Sequence, residues 1–201
     1  KIYSTTHMSQ ENEKRSDAIE AVKLIRSGMN IGLGSGSTAA YMIQELGKKI
    51  ATGLKIRGVT SSKNTEKLAI EAEIPLIALH DAKIVDINLD GADEFDPYMQ
   101  LIKGGGGALL REKIVAYNSK CNVVIADSTK EVPRLGKFKL PIETIPFATG
   151  NVIDLLAKER LKPLLRKAGN DLYITDENNY IVDLDILGFT NLARLEERLL
   201  K

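Results

Sequence analysis

A chain of 201 residues suits one domain, or one domain with a smaller appendage. Hydrophobic residues make up 43%, enough to bury a core, and a formal net charge of +1 leaves no basic excess of the kind that nucleic-acid binding uses. No apolar run approaches the roughly 20 residues of a membrane-spanning helix, and the single cysteine, Cys121, excludes an internal disulfide and fits a reducing compartment. Cys121 opens an apolar run and reads as a buried structural thiol. Lys1–His7 look unlike the rest of the chain, His7-Met8 resembles a cloning junction with Met8 as the natural start, and no secretory signal is visible, so this stretch is left out of fold reasoning.

Residues 9–27 read as a helix, with Ala18, Ile19, Val22 and Ile25 on one stripe and Gly28 at its end. Residues 29–33 form a short apolar strand. Gly34-Ser35-Gly36-Ser37-Thr38 comes directly after it, and residues 39–51 are an amphipathic helix. Strand, hydroxyl-rich turn and helix is an arrangement that holds a phosphate on backbone N–H groups and side-chain hydroxyls. An ordinary tight turn is the plain alternative. The run is not a Walker loop, and no acidic residue sits where a dinucleotide ribose would require one.

Residues 55–60 give the next strand. A helix capped by Asn64 or Thr65 runs to Glu73, Pro75 marks its boundary, and Leu76–Leu79 reads as another apolar strand. His80 after it reads as structural. Ile84–Leu89 is a strand that delivers Asp90-Gly91-Ala92-Asp93-Glu94 at its C-terminal end, the edge where ligands gather in open α/β sheets. The acidic cluster Asp90, Asp93, Glu94 and Asp96 lacks EF-hand spacing and has no histidine beside it, so no metal is expected.

Lys103-Gly104-Gly105-Gly106-Gly107 then runs into Ala108-Leu109-Leu110-Arg111-Glu112-Lys113, a strong helix former. Four glycines in a row imply positive φ or close approach of backbone to a ligand. The helix N-terminus suits an anion or a developing oxyanion. Glu112 lies about a turn inside and can reach back toward Lys103. A base, a cation and N–H donors in one place suit proton abstraction beside a carbonyl. A flexible loop before an ordinary charged helix is the plain alternative. Residues 122–126 read as a buried strand, after which Asp127-Ser128-Thr129-Lys130 brings Lys130 to the same edge. Pro133, Gly136, Pro141 and Pro146 mark a crossing into a second subdomain. There, residues 152–168 read as a helix kinked or broken near Pro163. Tyr173–Thr175 and Tyr180–Val182 read as a hairpin about Asp176–Asn179, and residues 191–201 as a last amphipathic helix.

Four ordered stretches, Gly34–Ala39, Asp90–Glu94, Lys103–Gly106 with Arg111-Glu112-Lys113, and Ala126–Lys130, resemble ribose-5-phosphate isomerase of the A type. Leu135-Gly136-Lys137-Phe138 and Ile174-Thr175-Asp176 extend the likeness from about Glu13 to the C-terminus. The resemblance implies a Rossmann-like α/β domain over residues 9–131 and a smaller α+β domain over residues 132–201. It also implies cofactor-free interconversion of D-ribose 5-phosphate and D-ribulose 5-phosphate, in the pentose phosphate pathway, in the cytoplasm, by a homodimer or homotetramer. It makes Glu112 the base, sets Lys103 and the glycine N–H groups of Gly104, Gly105 and Gly106 against the enediolate, and gives Asp90 and Asp93 the sugar hydroxyls and ring opening. Ser35, Gly36, Ser37, Thr38, Gly91, Ala92 and Lys130 match substrate-binding positions, with Lys14 assisting at the phosphate. The small-molecule partner is thus a sugar phosphate, with no nucleic acid and no membrane. Ser35 stands where the family usually has threonine, and the hydroxyl is kept. The family continues past its last helix with strands that complete the small domain, whereas this chain stops at Lys201. Two alternatives are a related sugar-phosphate deaminase or coenzyme A transferase, and a non-catalytic sugar-phosphate-sensing domain.

Overall fold

A computed structural model describes residues 10–199; residues 1–9, with the expected His7-Met8 junction, and the last two residues of the expected final helix lie outside the described residues. Four parallel strands form the central sheet in the order β2-β1-β3-β6. They are β1 (Asn30–Leu33), β2 (Arg57–Thr60), β3 (Ile87–Gly91) and β6 (Asn122–Ile125). Alternation along β1 assigns its two faces. Ile31 and Leu33 are buried with Ala18 and Val22 of α1 (Gln10–Val22), Met42 of α2 (Gly36–Ala51) and Ala69 of α3 (Lys63–Glu71). Gly32 points the other way, where a Cβ would come within 2.8 Å of Val115 on α5 (Leu109–Tyr117). Helices therefore cover both faces, which is why β1 is buried along its whole length. Burial of each of the larger of these side chains, Val22, Ile31, Leu33 and Met42, stabilises by about 1.5–3 kcal/mol. This is the expected α/β fold of Rossmann-like type.

Beyond β3, a two-stranded ribbon of β4 (Glu94–Phe95) and β5 (Leu101–Ile102) leads into the glycine loop. After β6 and a 3-10 turn at Ser128–Lys130, a second sheet forms in the antiparallel order β7-β11-β8. Its strands are β7 (Leu140–Thr144), β8 (Leu164–Leu165) and β11 (Tyr180–Leu184), and a ribbon of β9 (Lys167–Ala168) and β10 (Asp171–Leu172) lies between the last two in sequence. A separate apolar cluster lines this sheet, including Leu156 of α6 (Thr149–Lys158), Val182, Leu184 and Leu195 of α7 (Leu192–Leu199). Glu94 ties the two parts together: its buried carboxylate accepts from the N–H groups of Gly136 at 2.8 Å and Phe138 at 2.5 Å.

Several elements differ from the sequence reading. The first helix closes five residues early, through turn hydrogen bonds such as Leu24 N–H to Ala21 O, before Gly28 redirects the chain at φ +94°. Ser62, not Asn64 or Thr65, caps α3, because its hydroxyl accepts from Thr65 N–H. Leu76 makes only an isolated bridge to Gly58, and the chain then turns into the short α4 (Leu79–Ala82) rather than a strand. The strand expected from Ile84 begins at Ile87. The strand after Cys121 is not buried: β6 is the sheet edge, only Ile125 along it is buried, and Cys121 itself is exposed. The helix expected to reach Ala168 stops at Lys158. Arg160 and Lys162 take positive φ before Pro163, and Leu164–Leu165 is claimed by β11 as an edge strand. The turn at Thr175–Asn179 forms, but no ladder joins its arms. β11 is already paired on one side with β7 and on the other with β8, and Tyr173 N–H bonds to Arg166 O instead.

Candidate active site

Strand order places the cleft. The chain leaves β1 toward β2 on one side, then returns to β3 on the other, so the C-terminal ends of β1 and β3 flank a switch point, where two loops splay apart. Gly34 at the end of β1 lies against β3 so closely that a Cβ would fall 2.2 Å from Asp90 Oδ1. The segments Ser35–Thr38, Asp90–Asp93 and Lys103–Gly106, with Glu112 and Lys130, line one cavity of about 100 Å³. These are the residues named from the sequence, brought together from four chain segments, except for Lys14. Lys14 is not among the lining residues; its ammonium lies 3.9 Å from Asp127. A roomier concavity of about 220 Å³ between β2 and α5 is walled mainly by residues such as Val59, Ile77 and Ile114 and presents no carboxylate.

Inside the cleft the polar groups are ordered by hydrogen bonds. Asp90 is buried on β3, and its Oδ1 accepts from the N–H groups of Ser35 at 3.1 Å and Gly91 at 2.8 Å. Its Oδ2 accepts from Lys103 Nζ at 2.8 Å, and Lys103 also donates to Gly91 O at 2.5 Å. Asp93 Oδ2 accepts from Gly105 N–H at 2.7 Å, which pins the glycine loop across the cleft. Glu112 sits in the first turn of α5 and is 4% exposed. Its Oε1 accepts from the Ser35 hydroxyl. Its Oε2 is buried and lies 3.3 Å from Lys103 Nζ, an ion-pair contact.

Burial pushes the Glu112 carboxyl above the ordinary glutamate range, and the nearby Asp90 charge adds to it. Lys103 and the Ser35 hydroxyl pull the other way without cancelling the rise. Burial pulls the Lys103 ammonium down, but attraction to Asp90 and Glu112 outweighs it, so Lys103 is held above the usual lysine value and stays charged. The result is a buried carboxylate held by the Ser35 hydroxyl on one oxygen and paired with the fixed Lys103 cation on the other. That arrangement can take a proton from a carbon and meet the charge left behind. Among the described residues no group of three or more His, Cys, Asp or Glu could hold a metal ion, and no helix is long and apolar enough to cross a membrane.

Sequence reasoning missed three contributors. Asp127 is 1% exposed, and its Oδ1 accepts from Thr129 N–H at 3.1 Å, fixing the turn that carries Lys130. Burial opposes its charge, but hydrogen bonds from Thr129 outweigh this and hold its carboxyl below the usual aspartate value. Its place in Asp-Ser-Thr-Lys, directly after a strand, is the one sequence signal for that cap. Arg166 and Tyr173 reach the glycine loop from the second sheet and left no local signal, because their partners are backbone carbonyls 61 and 67 residues away.

Comparison with known proteins gives the family. Residues 57–201 match the model for ribose 5-phosphate isomerase A (phosphoriboisomerase A). The chain is 47% identical over 171 residues to ribose-5-phosphate isomerase A of Sphingopyxis alaskensis, covering 85% of this chain and 75% of that one. It is 44% identical over 189 residues to ribose-5-phosphate isomerase A of Listeria monocytogenes, covering 94% and 84%. Among solved structures, ribose 5-phosphate isomerase A of Methanocaldococcus jannaschii superposes with a TM-score of 0.89 at 42% identity, over 95% of this chain and 86% of that one. A D-ribose-5-phosphate isomerase in complex with phospho-erythronic acid superposes with a TM-score of 0.90 at 40% identity, over the same shares. With the family model spanning most of its length and relatives at 44% and 47% identity, the chain belongs to the ribose 5-phosphate isomerase A family.

Proposed function

We infer that the protein is an aldose–ketose isomerase that interconverts D-ribose 5-phosphate and D-ribulose 5-phosphate. The observation that carries this is the buried Glu112 carboxylate in the cleft wall, with the Ser35 hydroxyl on one oxygen and the Lys103 ammonium beside the other. An aldose–ketose shift moves one proton between C1 and C2 and redistributes protons on the two oxygens; it consumes no redox equivalent. Glu112 takes the C2 proton of the open-chain aldose and returns it to C1. Lys103 and glycine-loop N–H groups meet the enediolate charge. Asp90, linked to Lys103, handles the oxygen-bound proton and ring opening, and Asp93 takes sugar hydroxyls. Ser35–Thr38 and Lys130 hold the phosphate at the start of α2, whose free N–H groups favour an anion, and Lys14, paired with Asp127 beside the turn that carries Lys130, assists from outside the cleft. Phospho-erythronic acid, the ligand of the solved relative, carries a phosphate and a carboxylate whose charge resembles that of an enediolate, and is expected to bind the same cleft here.

The same reading gives residues 9–131 the chemistry and residues 132–201 a supporting role. Arg166 and Tyr173, which reach from the second part to the loop, support that division. A cytoplasmic homodimer or homotetramer, acting in the pentose phosphate pathway without a cofactor, completes the proposal. A non-catalytic sensing domain is disfavoured because the base is present and buried in working geometry. The test is ketose formation from ribose 5-phosphate by the purified chain, with and without a chelator. Turnover unaffected by the chelator is expected. No turnover, or turnover abolished by chelation and restored by one divalent ion, would overturn the reading.

A further inference from the structure

The glycine loop is held from outside the cleft as well as from within it. Arg166 comes directly after β8, and its Nη1 donates to the Gly105 carbonyl at 2.8 Å. The guanidinium is itself fixed: Nε and Nη2 donate to the two oxygens of Asp183 on β11, and the group lies 5.7 Å from the centroid of the Tyr173 ring. Arg166 and Asp183 are each 14% exposed, and neither lines the cleft. The Tyr173 hydroxyl donates to the next carbonyl, Gly106 O, at 3.0 Å.

A trans peptide sets its C=O and N–H on opposite sides. Holding the Gly105 carbonyl toward Arg166 therefore turns the Gly106 N–H away from Arg166. That N–H has no hydrogen-bond partner among the described residues, whereas its neighbours are committed, Gly105 N–H to Asp93 and Gly107 N–H to Gly104 O. Glycine is required at the other three positions for reasons internal to the fold. Gly104 and Gly107 have φ of +87° and +86°, and a Cβ at Gly105 would fall 2.4 Å from Asp93 Oδ1. Gly106 has no positive φ, and a Cβ there would meet nothing within 4 Å, yet it lines the cleft. Its missing side chain leaves room for a bound group beside an uncommitted donor.

We infer that Arg166, braced by Asp183, is a positioning residue for the isomerisation: it fixes the Gly105–Gly106 peptide so that the Gly106 N–H faces the enediolate oxyanion. This rests on the isomerase reading above. A donor fixed in advance acts where charge develops in the transition state and contributes little to ground-state binding. Removing Arg166 therefore acts on kcat rather than on KM.

The first test is Arg166→Lys. Lysine keeps a positive charge for Asp183 but has no planar fork with which to hold Asp183 and the Gly105 carbonyl together. With ribose 5-phosphate, kcat is expected to fall about tenfold to a hundredfold while KM stays within about twofold. A merely structural role would lower the melting temperature or raise KM with kcat intact, and either result overturns the assignment. The second test needs no turnover. In the 15N-labelled full chain, phospho-erythronic acid is expected to shift the Gly106 amide resonance in the wild type and not in Arg166→Lys, with the Ser37 and Thr38 shifts retained in both. Equal Gly106 shifts in the two proteins overturn the proposal, whereas a wild type that binds in this way but does not isomerise ribose 5-phosphate overturns only the isomerase reading. Should Arg166→Lys fail to fold, the isosteric Asp183→Asn decides. It is expected to lower kcat about threefold to tenfold with KM unchanged, and an unchanged kcat overturns the assignment.

Discussion

The Ser35 hydroxyl donates to Glu112 Oε1 from 77 residues away, and so fixes which oxygen of that carboxylate is turned to Lys103. With Oε1 committed to Ser35, Oε2 is the one that pairs with the Lys103 ammonium. The contact joins the turn after β1 to the first turn of α5. It also works against the rise of the Glu112 pKa that burial and Asp90 impose.

The pH dependence reflects that balance. On the proposed reading Glu112 is the base and must be ionised, so kcat/KM should be lost as pH falls through its folded-state pKa, and this limb should lie above the ordinary glutamate range. Ser35→Ala removes a hydrogen bond to the charged form and should move the limb to still higher pH. A pH–rate profile of both proteins checks it; a limb that stays in place or moves down contradicts the assignment.

Glu112→Gln should keep the fold and the affinity for substrate while turnover falls about 10²–10⁴-fold or more. Its stability should also carry a signature. The raised folded-state pKa means that Glu112 contributes stability below its unfolded pKa, lost as pH rises through the folded one. The melting temperature of the Gln variant relative to wild type should therefore improve as pH rises through that window. A difference independent of pH, or near-normal turnover, would remove Glu112 from the role.

Phosphate recognition is tested at Thr38 and Lys130, both in the cleft wall. A charged hydrogen bond is worth about 1.5–3 kcal/mol, so Thr38→Ala or Lys130→Ala should raise KM for ribose 5-phosphate about tenfold to a hundredfold, with a smaller effect on kcat. Unphosphorylated ribose should be a poor substrate for wild type, and the variants should lose most of their preference for the phosphorylated sugar. Equal loss toward both sugars would place the phosphate elsewhere.

Two neighbouring glycines should separate stability from activity. Gly107→Ala forces φ of +86° on an alanine and sets its Cβ 2.1 Å from the Tyr173 hydroxyl oxygen. A cost of about 2 kcal/mol, or about 4–8 °C in melting temperature, is expected. Gly106→Ala meets no atom within 4 Å and should melt like wild type, yet lose activity because its methyl occupies cleft space. Calorimetry with an activity assay checks both. Wild-type melting of Gly107→Ala would mean that the loop is looser than its contacts imply.

The local devices of this protein were legible in its sequence. Runs such as Gly34–Thr38 and Lys103–Gly107 stand out by their glycine and hydroxyl density, although a tight turn or a flexible loop reads the same way, and Glu112 is placed by helix propensity after such a loop. Strand β1, the helix after it and the acidic turn after β3 were readable from apolar runs and their punctuation. What pairs with what was not. Leu164–Leu165 became an edge strand because β11 had a free side, although its own sequence continues a helical pattern. Cys121 was exposed because β6 lies at the sheet edge, a matter of strand order and not of composition. The Ser35–Glu112 contact, and the hold of Arg166 on Gly105, join residues 77 and 61 positions apart. Periodicity and propensity act over a few residues, whereas the Ser35–Glu112 contact exists only once the parallel sheet has brought its strand ends to one edge, and the Arg166–Gly105 contact only once the second sheet has packed against the glycine loop.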